Sequence, residues 1–223
     1  MFTVPAYSTI GIPLIPTAGR RSAVATTYAT LLFADLHGYD ELVQHLAPVK
    51  VLPLLGEYFA VLTGAIMECG GQIIQLAEAE LLAGFGIGDP RHSQIHEAVS
   101  AARAIQQRFA PIRASWQSKH SIDTGVGIGI HRGEVAIAAF GPLDQVALTL
   151  VGDAAHLAAQ LSRRARAGEV LLSAAVHLPQ KSAMPLLHLP QLKLRGRAAP
   201  LDVWCVPAPA RLQTRHAGLC EVA

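Results

Sequence analysis

Between Gly125 and Phe140 the chain reads GVGIGIHRGEVAIAAF, and in its first half glycine takes every second position. Gly125, Gly127 and Gly129 alternate with Val126, Ile128 and Ile130. A period of two belongs to a β-strand, whose side chains point to opposite faces in turn. Here one face is branched aliphatic and the other is bare backbone, which fits strand crossing and close packing. The glycines lie inside an apolar run, not between a strand and a helix, which fits close packing better than a phosphate-cradling loop. The spacing predicts two strands, Thr124–Ile130 and Glu134–Phe140, joined at His131-Arg132-Gly133.

The remaining pattern supplies the layers. Residues 1–25 are rich in Pro, Gly, Ser and Thr and read as an extended arm without a basic secretory n-region. A strand over Tyr28–Ala34 ends in Asp35 and turns at His37-Gly38. Helical spacing follows over Glu41–Leu46, and again after Pro48 through Leu52, Leu55, Phe59, Leu62 and Ile66, stopping at Gly70-Gly71. Gln72–Leu76 and Leu81–Phe85 predict a hairpin. A helix is expected over Arg91–Phe109, a strand over Ala147–Val151, and a helix to Arg164 with Asp153 as its N-cap. Glu169–Ser173, Leu192–Leu194 and Leu201–Val206 complete the strands, and the tail from Pro207 is expected to fray. Mixed elements with adjacent hairpins indicate α+β, a mostly antiparallel sheet with helices packed on it.

Composition removes several function classes. Charged residues are 15% of the 223, against about 25% in ordinary soluble domains. The net charge is +2 and aromatics are 5%, which argues against a nucleic-acid groove. The apolar share is 51%, but the most apolar stretch, Val51–Met67, contains Pro53, Gly56 and Glu57, against membrane insertion. Cys69, Cys205 and Cys220 are odd in number and lack CxxC spacing, so free thiols and a cytoplasmic setting are expected.

Four segments together resemble class III nucleotidyl (adenylate and guanylate) cyclase domains. They are LLFADLHGYDEL at 31–42, GGQIIQLAEAELLAGFG at 70–86, GVGIGIHRGEVAIAAFG at 125–141 and LVGDAAHLAAQL at 150–161, with a weaker fifth, LKLRGRAAPLDVW, at 192–204. The resemblance implies a ferredoxin-like βααββαβ core over residues 26–206, flanked by the arm at 1–25 and the tail at 207–223. It further implies active sites at a head-to-tail dimer interface. The implied reaction is attack of a ribose 3′-hydroxyl on the α-phosphorus of its own nucleoside triphosphate, expelling pyrophosphate. Two divalent metals bridged by two aspartates assist it. An Asn and an Arg on one helix of the partner subunit orient the ribose and stabilise charge.

Carried over position by position, those roles are largely vacant. The first metal carboxylate matches Asp35, while the second falls on Ala79, with Glu78 where a glycine belongs. The base-reading Lys falls on Gln75 and its acidic partner on Ala147. The Asn falls on His156 and the Arg on Gln160, still on one helix face at i,i+4. A basic triphosphate contact is kept in kind as Arg195, and Asp40 stands where a small hydroxyl residue is usual. The ligand-binding positions implied are therefore Asp35, Leu36, Gly38, Tyr39 and Arg195.

Each position also has a plainer reading. Asp35 holds a metal weakly or caps the following turn. Glu78 and Glu80 are solvated turn carboxylates unless the hairpin slips by one residue, which would turn the strand's faces over. Arg163, Arg164 and Arg166 bind an anion or, as favoured here, complement the helix C-terminus. His92 and His96 form a solvated i,i+4 pair. No cofactor is expected beyond Mg2+ or Mn2+ accompanying a bound nucleotide. The leading expectation is a non-catalytic dimeric signalling, scaffold or ligand-sensing module that pairs with itself. One alternative is a divergent active cyclase using Asp35 with Glu78 or Glu80. Another is a regulatory subunit of an intact cyclase.

Overall fold

The computed structural model describes residues 25–87, 94–140, 147–176, 186–194, 196–197 and 199–208. The expected arm, apart from Ala25, and the tail beyond Ala208 lie outside the described residues. In chain order the elements are β1 (Ala25–His37), α1 (Tyr39–His45), α2 (Pro48–Glu68), β2 (Gln72–Ala77), β3 (Glu80–Phe85) and α3 (Ile95–His120). There follow β4 (Gly125–Phe140), β5 (Ala147–Val151), α4 (Asp153–Arg164), β6 (Val170–Ser173), β7 (Leu187–Leu192) and β8 (Leu201–Val206). The strands form one sheet in the order β2-β3-β1-β4-β6-β8-β7, with β5 paired to β4. All pairings are antiparallel except that of β4 with β6. This is the expected α+β architecture.

The turn expected at His131-Arg132-Gly133 is absent. β4 is a single strand of 16 residues, paired with β1 without a break from Ala25↔Ile137 to His37↔Gly125. Because β1 is 13 residues long, it offers partners to all three residues, and a turn there would forfeit those ladder bonds. α3 also outruns its expected end at Phe109, continuing through Pro111 to His120. Ile112 and Trp116 extend the apolar stripe, and Pro111 lies on the exposed side, where the carbonyl it leaves unpaired meets water. Its expected start at Arg91 lies outside the described residues. β7 covers Leu187–Leu192 rather than Leu192–Leu194, with Pro190 tolerated because β7 is an outer strand. Asp153 is the first helical residue of α4, and Gly152 takes the N-cap position without a side-chain bond.

Two layers cover the sheet. On one face α2 and α3 bury Leu54, Tyr58, Leu62, Ile66, Ile105, Phe109 and Trp116 against β1, β3 and β4. Phe109 meets Trp116 edge-on at 5.4 Å and Tyr58 at 5.8 Å between ring centres. Trp116 Nε1 donates to Glu57 at 2.9 Å. By length and composition α2 is also apolar enough to cross a membrane, but its inner stripe is committed to this core.

On the opposite face α4 lies directly on β4, and the alternating glycines explain how. A Cβ on Gly129 would stand against the carbonyl oxygen of Ala158 and the amide nitrogen of Ser162. One on Gly127 would come within 2.7 Å of the Ser162 carbonyl and 3.1 Å of that of Ala165. The bare face of the strand is the seat of a helix backbone.

Candidate functional site

At the end of β1 the sheet opens into a shallow hollow of about 340 Å³. Asp35, Leu36, His37, Gly38, Tyr39 and Asp40 line one side, and Glu78, Ala79 and Glu80 line the other. The strand-to-helix turn holds the first group. Gly38, at φ 83, begins α1, and a Cβ there would press on the backbone carbonyl of Asp123 at 2.5 Å. The hairpin between β2 and β3 holds the second. The structure thus brings Asp35, Leu36, Gly38, Tyr39, Glu78 and Glu80 to one place. Arg195 lies outside the described residues.

The hairpin is fixed from below. Tyr58 is buried in α2, and its hydroxyl donates to the carbonyl of Ala79 at 3.0 Å. The amide of Leu36 donates to the same oxygen at 3.3 Å. Burial pushes the Tyr58 phenol well above its ordinary pKa, with Asp35 and Glu80 adding to the effect, so it remains a donor. Ala79 is 3% exposed, and its methyl group occupies the inner side of the turn. Glu78 is exposed and takes the left-handed conformation at φ 48, one that glycine adopts more readily.

Glu80 differs from the turn carboxylate expected. It is a strand residue, lying directly across from Asp35 in the β1–β3 ladder, with Ala34↔Leu81 and Phe33↔Leu82 following in register. No slip is needed to bring it beside Asp35. Burial raises the Asp35 carboxyl above the usual carboxylate range. The charge of His37 opposes that rise, Glu80 reinforces it and Arg163 opposes it.

Arg163 comes from α4. His156, Gln160 and Arg163 fall at i, i+4 and i+7, one stripe of that helix. His156 is exposed and Gln160 half-buried. Arg163 reaches across to Glu80, Nη2 to Oε1 at 2.9 Å, with its guanidinium 6.0 Å over the ring of Phe33. From the sequence, Arg163 is expected to bind an anion or, as favoured, to complement the helix C-terminus; neither expectation pairs it with Glu80. The signal available was its place on the His156–Gln160 stripe, whereas nothing in the pattern pointed to Tyr58.

The other positions lie elsewhere. Gln75 is exposed on β2 next to a bulge, and Ala147 pairs with Phe140 at the start of β5. Of the expected histidine pair, His96 is exposed and His92 lies outside the described residues. His131 instead bonds Ser173, Nδ1 to Oγ at 2.7 Å. Burial, aided by the charge of Arg197, lowers its pKa to about 4, while Asp153 opposes the shift. Arg197 is itself paired with Asp153.

The carboxylates at the hollow differ from the two bridging aspartates that the resemblance implies. Among the described residues no three His, Cys, Asp or Glu side chains converge as metal ligands. Ala79 offers none, and Glu80 is already paired with a cation. The donor set does not fit a pair of bridged divalent metals.

A mostly antiparallel sheet carrying α2 and α3 on one face and α4 on the other, with a carboxylate-lined hollow where β1 meets the β2–β3 hairpin, is the architecture of a nucleotidyl cyclase domain. Residues 23–205 match the adenylate and guanylate cyclase catalytic domain family, and the chain belongs to that family. It is 30% identical over 140 residues to an adenylate cyclase of Anabaena cylindrica, covering 62% of this chain and 28% of that protein. The chain spans less than a third of the length of curated relatives it matches. Among solved structures it is similar to the adenylyl cyclase CyaB of P. aeruginosa, with TM-score 0.76 and 22% identity over 85% of this chain and 98% of that one. It is also similar to a dimeric guanylyl cyclase domain from Blastocladiella emersonii, with TM-score 0.69 and 15% identity over 83% and 98% of the two chains.

Proposed function

We propose that this cyclase-family domain no longer cyclises nucleotides and works as a dimeric signalling or ligand-sensing module. The observation that carries the reading is the hairpin turn. Ala79, at the edge of the hollow, stands where the resemblance implies a metal-bridging carboxylate, and Tyr58 and Leu36 hold its backbone in place. On α4, Gln160 has hydrogen-bonding capacity but not the fixed charge of an arginine. Losing one transition-state donor typically costs about 10²–10³ in rate, and a missing metal carboxylate removes the two-metal step itself. Leu76 on β2 and Val151 on β5 are exposed apolar side chains that support pairing, with a second copy or with an intact cyclase. The dimeric state of the Blastocladiella domain supports the same reading.

A second reading has one observation in its favour, the in-register pairing of Asp35 with Glu80. It makes the chain a divergent cyclase using those two carboxylates. One assay separates the two. The purified protein is incubated with ATP, GTP, CTP and UTP in turn, each with Mn2+, and 3′,5′-cyclic products are sought by mass spectrometry. No product is expected. Product that disappears in Asp35→Ala would sink the non-catalytic reading. Calorimetry with the same nucleotides then distinguishes a ligand sensor, which binds one of them, from a protein scaffold, which binds none.

A further inference from the structure

The hollow gathers four carboxylates, Asp35, Asp40, Glu78 and Glu80, and like charges so placed repel one another unless a cation joins them. Elsewhere in this family the implied cation is a metal ion, which the donor set here does not fit. The chain supplies a cation of its own. Arg163 projects from the last turn of α4, 83 residues from Glu80 in sequence, and bonds Glu80 Oε1 at 2.9 Å. Glu80 is the ladder partner of Asp35, so the guanidinium acts on both acids. Phe33 lies two residues before Asp35 on the same face of β1, and its ring supports the guanidinium from beneath.

We infer that Arg163 is the resident cation of the Asp35–Glu80 pair, standing in for a divalent metal and keeping one out. A guanidinium on Glu80 removes that carboxylate from the ligand set, and its positive charge repels any cation arriving at Asp35. The arrangement is made within one protomer and requires neither nucleotide nor partner. The inference deepens the non-catalytic reading, but it concerns metal binding alone and is measured without nucleotide.

The test titrates Mn2+ into the full chain and follows the loss of the free Mn2+ signal by electron paramagnetic resonance. Arg163 is about half exposed, so Arg163→Gln is expected to fold, which circular dichroism checks. Removing one full charge beside a divalent ion should tighten Mn2+ binding about tenfold at moderate salt. Arg163→Lys should stay near the native affinity. Adding Asp35→Asn or Glu80→Gln to R163Q should abolish the gain. Equal Mn2+ affinity of native protein and R163Q overturns the inference, and so does a gain that survives loss of Asp35 and of Glu80. Either result leaves the nucleotide assay, and the function it tests, standing on its own.

Discussion

Replacing Gly129 with alanine adds one methyl group at the point where α4 lies closest to β4. Its Cβ would stand against the carbonyl oxygen of Ala158 and the amide nitrogen of Ser162, and 2.7 Å from the Cβ of Leu161. Two of these atoms are helix backbone and the third is the first atom of a buried side chain, so none can rotate aside. Restoring ordinary contact moves the helix by about 1 Å, which loosens Ala154, Leu157, Ala158 and Leu161, none more than 4% exposed. Overpacking a core costs typically about 1–3 kcal/mol, and contact with backbone puts this case at the upper end, about 3 kcal/mol. In a domain of this size that lowers Tm by about 6–12 °C. Urea unfolding followed by circular dichroism measures it, with Gly64→Ala as the control. At Gly64, inside α2, an added Cβ meets nothing within 4 Å. Better helix propensity there should stabilise the fold by up to about 1 kcal/mol. The same chemical change is thus expected to have opposite signs at two glycines. A Gly129→Ala protein within about 0.5 kcal/mol of native refutes the account of α4 seated on bare strand backbone.

Two further perturbations probe the site's supports. Tyr58→Phe removes the hydroxyl that holds the Ala79 carbonyl, at an expected cost of about 1 kcal/mol. Hydrogen exchange at the amides of residues 78–80 should rise with it, while unchanged protection there would show the hairpin to be held otherwise. His131 has its pKa lowered from 6.5 to about 4 in the fold, so the unfolded chain binds the extra proton between those values. The stabilisation it gives is complete above pH 6.5 and is lost as pH falls toward 4, a change of about 3 kcal/mol. His131→Asn should flatten that part of the stability profile in urea titrations from pH 7 to pH 4, and a profile of unchanged slope would contradict the burial of a neutral imidazole.

The layers of the fold were legible because they rest on local periodicity. The helical spacing from Leu52 to Ile66, the alternation from Gly125 to Ile130 and the hairpin halves around Glu78-Ala79 each mark one element, though in α2 Leu52 is exposed and the buried stripe runs through Val51, Leu54, Tyr58 and Leu62. What escaped depends on length matching between distant segments. His131-Arg132-Gly133 reads as a turn until β1 proves long enough to pair with it. Phe109 reads as a helix end until Trp116 finds its place against Glu57 and Phe109. In the site, Asp35, Leu36, Gly38 and Tyr39 could be named only through the family resemblance, which places them along one turn. Glu80 was one of two candidates beside Asp35, and the ladder register puts it directly across from that residue; Arg163 required the placement of α4 on the sheet, which no residue near it in sequence encodes.

The change at Gln160 and the role of Arg163 are connected through helix geometry. The resemblance places an arginine at position 160, acting on a site in the partner subunit. Three residues further along an α-helix is a shift of about 4.5 Å along the axis and about 60° around it. That displacement carries a guanidinium into reach of Glu80 in its own protomer, 2.9 Å away. A charge that would complete a site between two chains instead completes one within a single chain. The acidic hollow then has its counter-charge before any partner arrives, so association need not supply it. Under the proposed pairing, what this chain would offer a second copy or an intact cyclase is apolar surface such as Leu76 and Val151. The low share of charged residues, 15%, fits the proposed use of apolar surface for pairing.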